Sequence, residues 1–160
     1  MKSKISVATG VALAAIIVPY SVLRALVMRA VQQATPSSES RSVWDGVYTE
    51  EQAKRGEMLY RKECASCHAD TLVGGGGASP LAGATFLSNW NGLTLGDLFD
   101  RIRKTMPQGT PGKLTKQQGA DVLAYLLSFN KFPAGKTELS RQTEFLKEIR
   151  IEATKADASK

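Results

Sequence analysis

Cys64-Ala65-Ser66-Cys67-His68 holds the only two cysteines and the only histidine of the chain. Two thiols three positions apart, followed at once by an imidazole, suit covalent attachment of haem c. Each thiol can form a thioether to one vinyl group, and the adjacent histidine is then held beneath the iron. Competing chemistries ask for more than these residues. A zinc site needs four ligands, usually a second C-x-x-C or spaced histidines. A thioredoxin-like redox pair expects a βαβ pattern around it, and none is legible. A plain disulfide leaves the single histidine without a role. The reading is therefore one covalent haem c, bound by Cys64, Cys67 and His68, with His68 as a metal ligand. No residue is picked out as catalytic.

The segments around the motif say where such chemistry would take place. The 160 residues carry 21 basic and 15 acidic side chains, a net charge of +6. Residues 1–33 contribute Lys2, Lys4, Arg24 and Arg29 and no acid, leaving 17 basic against 15 acidic residues, a net of +2, over residues 34–160. That near-neutrality is no nucleic-acid footprint. Lys2 and Lys4 precede a largely apolar run from Ile5 to Leu23, the layout of a secretory signal. The run is long for a signal core, and Ala30 and Ala34 are only tolerable cleavage points. Its nineteen residues nearly suffice to span a bilayer, although Pro19, Tyr20 and Ser21 weaken that reading. Residues 1–34 are thus read as a signal peptide or an N-terminal membrane anchor. Either way the remainder is expected outside the cytoplasm, in the periplasm.

Elements that must position the motif follow. Residues 35–44 form a polar linker. Thr49-Glu50-Glu51-Gln52 is a capping box, with the threonine hydroxyl and the Gln52 side chain both turned onto free N–H groups; the helix it opens is predicted to reach Glu63. Thr94-Leu95-Gly96-Asp97 opens a second helix, with Leu95, Leu98, Phe99 and Ile102 on one face. Thr115-Lys116-Gln117-Gln118 opens a third that stops near Asn130. Glycine-rich and proline-marked loops lie between them, and no useful strand alternation appears. The fold class is all-α, with residues 45–133 as its domain. Three short helices and long loops make a thin core over about 90 residues, which a large apolar cofactor would complete. Residues 134–160 are a charged tail. Phe145, Leu146 and Ile149 give it a weak helical stripe, read as a frayed solvated helix rather than a docking element. A chain ending at Gly135 is expected to keep its haem.

Gly56, Tyr60, Cys64, Cys67 and His68 together resemble the class I cytochrome c pattern, and Asp121 to Leu126 resembles that family's C-terminal helix. The likeness covers residues 48–131 and implies three main helices with long loops around one covalent haem. It implies that the first and last of those helices cross, the glycine letting the backbones approach beside the aromatic rings. Pro80, twelve residues after His68, matches a proline whose carbonyl accepts the histidine ring proton in the family, although Ser79 replaces the glycine before it. Such a bond fixes the ring and raises its basicity. Gly74 to Gly77 is no phosphate loop, lacking a preceding strand and a G-K-[ST] ending; close backbone packing at the haem edge is the expectation.

One histidine excludes bis-histidine ligation from this chain. Among the four methionines, Met1 and Met28 lie in the leader and Met58 on the helix leading into Cys64. Met106 precedes Pro107, which favours an extended backbone, and it matches the family's distal ligand. His68 and Met106 are thus the expected metal ligands, with Pro80 and Trp90 also expected at the cofactor. Arg103 is read as a solvated surface charge. Two filled axial positions suit one-electron transfer rather than catalysis, and a thioether ligand raises the potential. Trp90 to Pro107 is similar to cytochrome domains that accompany quinoprotein alcohol dehydrogenases, which implies redox protein partners, with such a dehydrogenase as electron donor. A shuttle to a terminal oxidase and a subunit of a respiratory complex are the alternatives. A haem-based gas sensor, with a weak or absent sixth ligand, is a further one.

Overall fold

The computed structural model describes residues 41–155; the leader and residues 35–40 of the linker lie outside the described residues. Strand β1, Arg41–Ser42, leads through a single 3-10 turn, Val43–Asp45, to helix α1, Glu50–Glu63. A one-turn helix α2, Ala65–His68, follows directly, then α3, Gly83–Trp90, and α4, Leu95–Thr105. Helix α5, Lys116–Phe129, a short α6, Thr143–Leu146, and β2, Ile149–Arg150, complete the order. Among the described residues no helix is long and apolar enough to cross a membrane.

The three expected helices start where their threonines place them. Thr94 and Asp97, and Thr115 and Gln118, form reciprocal capping boxes that satisfy free N–H groups at the starts of α4 and α5. At α1 only half of the box is made. Thr49 accepts from the Gln52 N–H, but the Gln52 side chain does not turn back. It is fully buried. Its amide instead donates to the Leu139 carbonyl at 3.0 Å and accepts from the Leu139 N–H at 2.6 Å. A buried amide needs both donor and acceptor partners, and an extended backbone supplies the pair.

Helices α1 and α5 cross at Gly56, where a Cβ would overlap the Asp121 carbonyl group. Beside that contact Tyr60 and Tyr125 pack with their rings tilted by 49° and centroids 5.2 Å apart. Phe99 of α4 and Leu123 and Leu126 of α5 are buried in the same core. Asn130 closes α5 and holds the loop leading to α3: its amide donates to the carbonyls of Leu126 and Leu81, and its oxygen accepts from the Gly83 N–H.

Two expectations are corrected here. The region before Trp90 is not all loop but contains the eight-residue α3, anchored by buried Phe86. The C-terminal segment is not a solvated appendage: Leu139, Leu146, Ile149 and Ile151 are all buried. The apparent helical stripe mixes two periods. α6 ends at Leu146 and leaves Phe145 exposed, while Ile149 and Ile151 face inward on either side of exposed Arg150 with strand alternation. Burying such side chains contributes about 1.5–3 kcal/mol each, so a chain ending at Gly135 forfeits a substantial part of the core. The segment also pairs β2 with β1 in parallel, and Arg55 links it to the helix crossing through Asp121 at 3.1 Å and Glu138 at 2.8 Å.

Candidate functional site

Local backbone bonding sets the geometry of the thiol pair. Cys64 ends α1, its N–H donating to Tyr60, and begins α2, its carbonyl accepting from the N–H groups of Cys67 at 3.1 Å and His68 at 2.9 Å. One helical turn therefore carries both thiols and the imidazole. Cys64 is half-buried and Cys67 exposed, and both are free thiols. Burial, helped by the neighbouring Glu63 and Cys67, pushes the Cys64 thiol up to about 11. A thiol that resists ionisation is a poor metal ligand, since metals take the thiolate, but it suits conversion to an uncharged thioether. Among the described residues no group of three or more His, Cys, Asp and Glu side chains gathers into a metal site.

The imidazole is held on one side. His68 Nδ1 lies 2.8 Å from the Ser79 carbonyl. A carbonyl only accepts, so Nδ1 carries the proton and Nε2 keeps its lone pair for a metal. The acceptor differs from the expected one: it belongs to Ser79, not to Pro80. The residue before a proline is held extended, which fixes the direction of its carbonyl, and Pro80 itself serves to set that bond. On the other side the His68 carbonyl accepts from the Gly74 N–H, and Tyr60 Oη donates to the Ala69 carbonyl at 2.7 Å. That bond secures Ala69 at φ 62°, a conformation costly for a residue with a Cβ.

The glycine loop packs more modestly than expected. A Cβ at Gly74 would overlap the Ala78 carbonyl, but one at Gly75, Gly76 or Gly77 would meet nothing within 4 Å. Gly76 and Gly77 have positive φ, so they serve the turn rather than a close approach.

Met106 lies at the C-cap of α4, half-buried, with the extended backbone expected before a proline (φ −121°, ψ 149°). Met58 is 67% exposed on α1. Trp90 ends α3, half-buried, its ring 6.4 Å from Phe86. Arg103, one turn before Met106, is not the solvated charge expected. Its stem packs at the position of Gly119, its guanidinium carbon sits 5.8 Å from the Phe99 ring centre, and its Nε is buried without a hydrogen-bond partner. A buried donor left unpaired is costly and fits an anionic group of a cofactor. Finally Glu63, adjacent to Cys64, accepts from Lys113 Nζ at 2.6 Å, joining the thiol turn to the loop that follows Met106. Neither Arg103 nor this ion pair carries a local sequence signal; both arise from residues distant in the chain.

Residues 51–126 match the family model described as cytochrome c oxidase, cbb3-type, subunit III. Over those residues the chain is similar to a cytochrome c domain, and the mostly helical fold agrees with the all-α class I c-type cytochrome fold. No curated protein matches the sequence. Among solved structures, the chain is similar to one of the sulfane dehydrogenase SoxCD from Paracoccus pantotrophus, at 20% identity and a TM-score of 0.46. That likeness covers 68% of this chain and 61% of the other.

Proposed function

We propose that the protein is a one-electron carrier with a single covalent haem c, attached through Cys64 and Cys67 and ligated by His68 and Met106. The observation that carries this reading is the single turn holding both thiols and a histidine whose Nδ1 is tied to the Ser79 carbonyl. The un-ionised Cys64 thiol, the free Nε2 of His68 and the unpaired Nε of Arg103 all fit the group. When bound, haem supplies an iron centre that cycles between ferric and ferrous states. The chain's own part is to keep the imidazole oriented and basic, to place the Met106 thioether, and to shield the centre with the apolar core. A methionine thioether stabilises the ferrous state and raises the potential. With His68 and Met106 both holding the iron, no site would remain for a substrate, which suits transfer rather than catalysis. Pro80 acts by holding the Ser79 carbonyl, and half-buried Trp90 would line the haem site.

The partners are redox proteins. Export through the Lys2, Lys4 and Ile5–Leu23 leader places the carrier in the periplasm, free or tethered. A periplasmic dehydrogenase, of the quinoprotein alcohol dehydrogenase class, is the donor proposed, and a terminal oxidase the acceptor. A second reading, a cytochrome subunit within a respiratory complex, is favoured by the name of the matching family model. Copurification from membranes separates the two. The cofactor reading is tested by denaturing the protein, extracting it with acidified organic solvent and recording the pyridine haemochrome spectrum. The haem is expected to stay with the polypeptide; its passage into the solvent sinks the reading. Absence of carbon monoxide binding by the reduced protein is the outcome expected of a carrier and not of a gas sensor.

A further inference from the structure

We infer that the C-terminal segment, residues 136–155, is a strap that positions Met106 by gripping α4 and the turn before it. The inference rests on Met106 being the distal ligand and assigns the job of holding it there to residues beyond the family match, which ends at residue 126.

Three sets of contacts define the grip. First, buried Gln52 fastens the strap to α1 through both backbone groups of Leu139. Second, the strap meets α4 backbone to backbone. A Cβ on Gly96 would lie 2.5 Å from Lys147 Cγ and 2.9 Å from the Lys147 nitrogen, a separation that only glycine permits. Close by, Thr143 Oγ1 donates to Asp100 at 3.3 Å, and Leu146 is fully buried. Third, the turn joining α3 to α4 is held by the strand end of the strap. The Gly92 N–H donates to the Ile151 carbonyl and the Ile151 N–H to the Leu93 carbonyl, both at 2.8 Å. The Ala153 N–H donates to Asn91 Oδ1 at 2.8 Å, and the Arg150 guanidinium to the Gly92 carbonyl at 3.0 Å. Trp44 Nε1, donating to the Glu152 carbonyl at 3.0 Å, secures the far end.

Helix α4 is a stiff rod of eleven residues whose C-cap is Met106. Any displacement of its first turn is carried along the rod to the thioether. Besides the strap, α4 packs on α5, through Phe99 and Arg103 against Gly119. The thiol turn is placed differently. Cys64, Cys67 and His68 are held by α1, Tyr60 and Ser79, none of which needs the strap's α4 contacts. Loosening the strap should therefore free the distal ligand while leaving the haem attached.

The test uses the full-length protein carrying Gly96→Ala. By itself this change favours the helix, so a loss of ligation cannot be blamed on a weaker α4. Gly109→Ala, where a Cβ meets nothing within 4 Å, is the matched control beyond the ligand. A chain ending at Gly135 is the severe version. The readouts are covalent haem content, the methionine-to-iron charge-transfer band of the oxidised protein and carbon monoxide binding by the reduced one. The expected result for Gly96→Ala is full haem content, a charge-transfer band at least twofold weaker and new carbon monoxide binding, with Gly109→Ala like the unaltered protein. Unaltered protein without the band overturns the Met106 reading, and the strap with it. A band present in the unaltered protein and undiminished in Gly96→Ala overturns the strap alone. Should the truncated chain fail to fold, Gly96→Ala still decides.

Discussion

Helix α1 meets α5 through bare backbone at Gly56, and the thiol turn that follows is secured by bonds among residues 60–81. Helix α4 is secured by groups far off in the chain: Asn91, Gly92 and Leu93 by Ile151 and its neighbours, Asp100 by Thr143, Gly96 by Lys147. One side of the site is thus built largely from one short stretch of chain behind a tight crossing, with Lys113 its remote tie through Glu63, and the other is assembled mostly from remote pieces. Local construction keeps a cofactor attached even when distant parts loosen. Remote construction makes Met106, the ligand proposed, the part most open to adjustment. In the carrier proposed, that asymmetry would separate retention of the haem from the tuning of its potential.

The sharpest way to break the attachment side is at the crossing. Gly56→Val should prevent α1 and α5 from closing, because the added carbons would occupy the Asp121 carbonyl. Overpacking of this kind typically costs about 1–3 kcal/mol and more when backbone must move. The yield of haem-bearing protein and its denaturant midpoint are the measurements, and a near-normal midpoint would mean that the crossing is looser than described.

On the ligand side the largest effect is expected of Met106→Ala. Axial ligands set haem potentials over ~0.8 V, so loss of the thioether should lower the potential well beyond experimental noise and admit carbon monoxide. Exposed Met58 serves as the comparison: Met58→Ala should keep the low-spin spectrum and the potential. Its exposure also removes any large packing cost, in contrast to the buried methionines whose loss costs about 2–5 kcal/mol. If Met58→Ala, and not Met106→Ala, abolishes the charge-transfer band, the ligand assignment is reversed.

A smaller change probes how far local bonding governs His68. Tyr60→Phe removes the hydroxyl that holds Ala69, at a cost of about 1 kcal/mol. The strained turn can then relax, and the His68–Ser79 bond should lengthen. A less basic imidazole favours ferrous iron, so a slight rise in potential should accompany the lower melting temperature. An unchanged potential would reduce Tyr60 to a packing role.

The smallest effect is expected from acid. Bonds from Thr94, its backbone N–H first and its hydroxyl next, hold the Asp97 carboxyl below the usual carboxylate range, and Lys104 does the same for Asp100. Groups whose folded pKa is depressed contribute stability above the unfolded value, roughly 4, and that stability is lost as pH falls through the folded value. Both carboxylates lie on α4, so the charge-transfer band should fade at a higher pH than the far-ultraviolet helix signal during acid titration. Simultaneous loss of the two signals would show that the sides of the site open together.

Much of the attachment side was legible because its causes are local. Three threonines marked three helix starts, Gly56 and Tyr60 stood at four-residue steps before Cys64, and the thiols and His68 fall within one turn. The Ser79 acceptor in place of Pro80 was missed by one residue, since which of two adjacent carbonyls faces a ring depends on the path of the loop. Gln52 shows the other kind of failure. Its position three after Thr49 predicts a capping partner, but a buried backbone from Leu139 competes for the same amide and wins. The strap was illegible because its single helical turn and two-residue strand fall below the length at which either periodicity declares itself.

What the sequence by itself determined is the chemistry and its local frame: two thiols and an imidazole on one turn, a helix before them, a methionine ahead of a proline, and an all-α class. Short-range spacing and capping fix these whatever the rest of the chain does. Only the tertiary structure decided which carbonyl orients His68, that the Nε of half-buried Arg103 is covered and unpaired, and that the last segment belongs to the core. Those outcomes rest on the burial of groups many residues apart, where one partner satisfies another's hydrogen bonds or excludes its Cβ, and such matching is written in no local pattern.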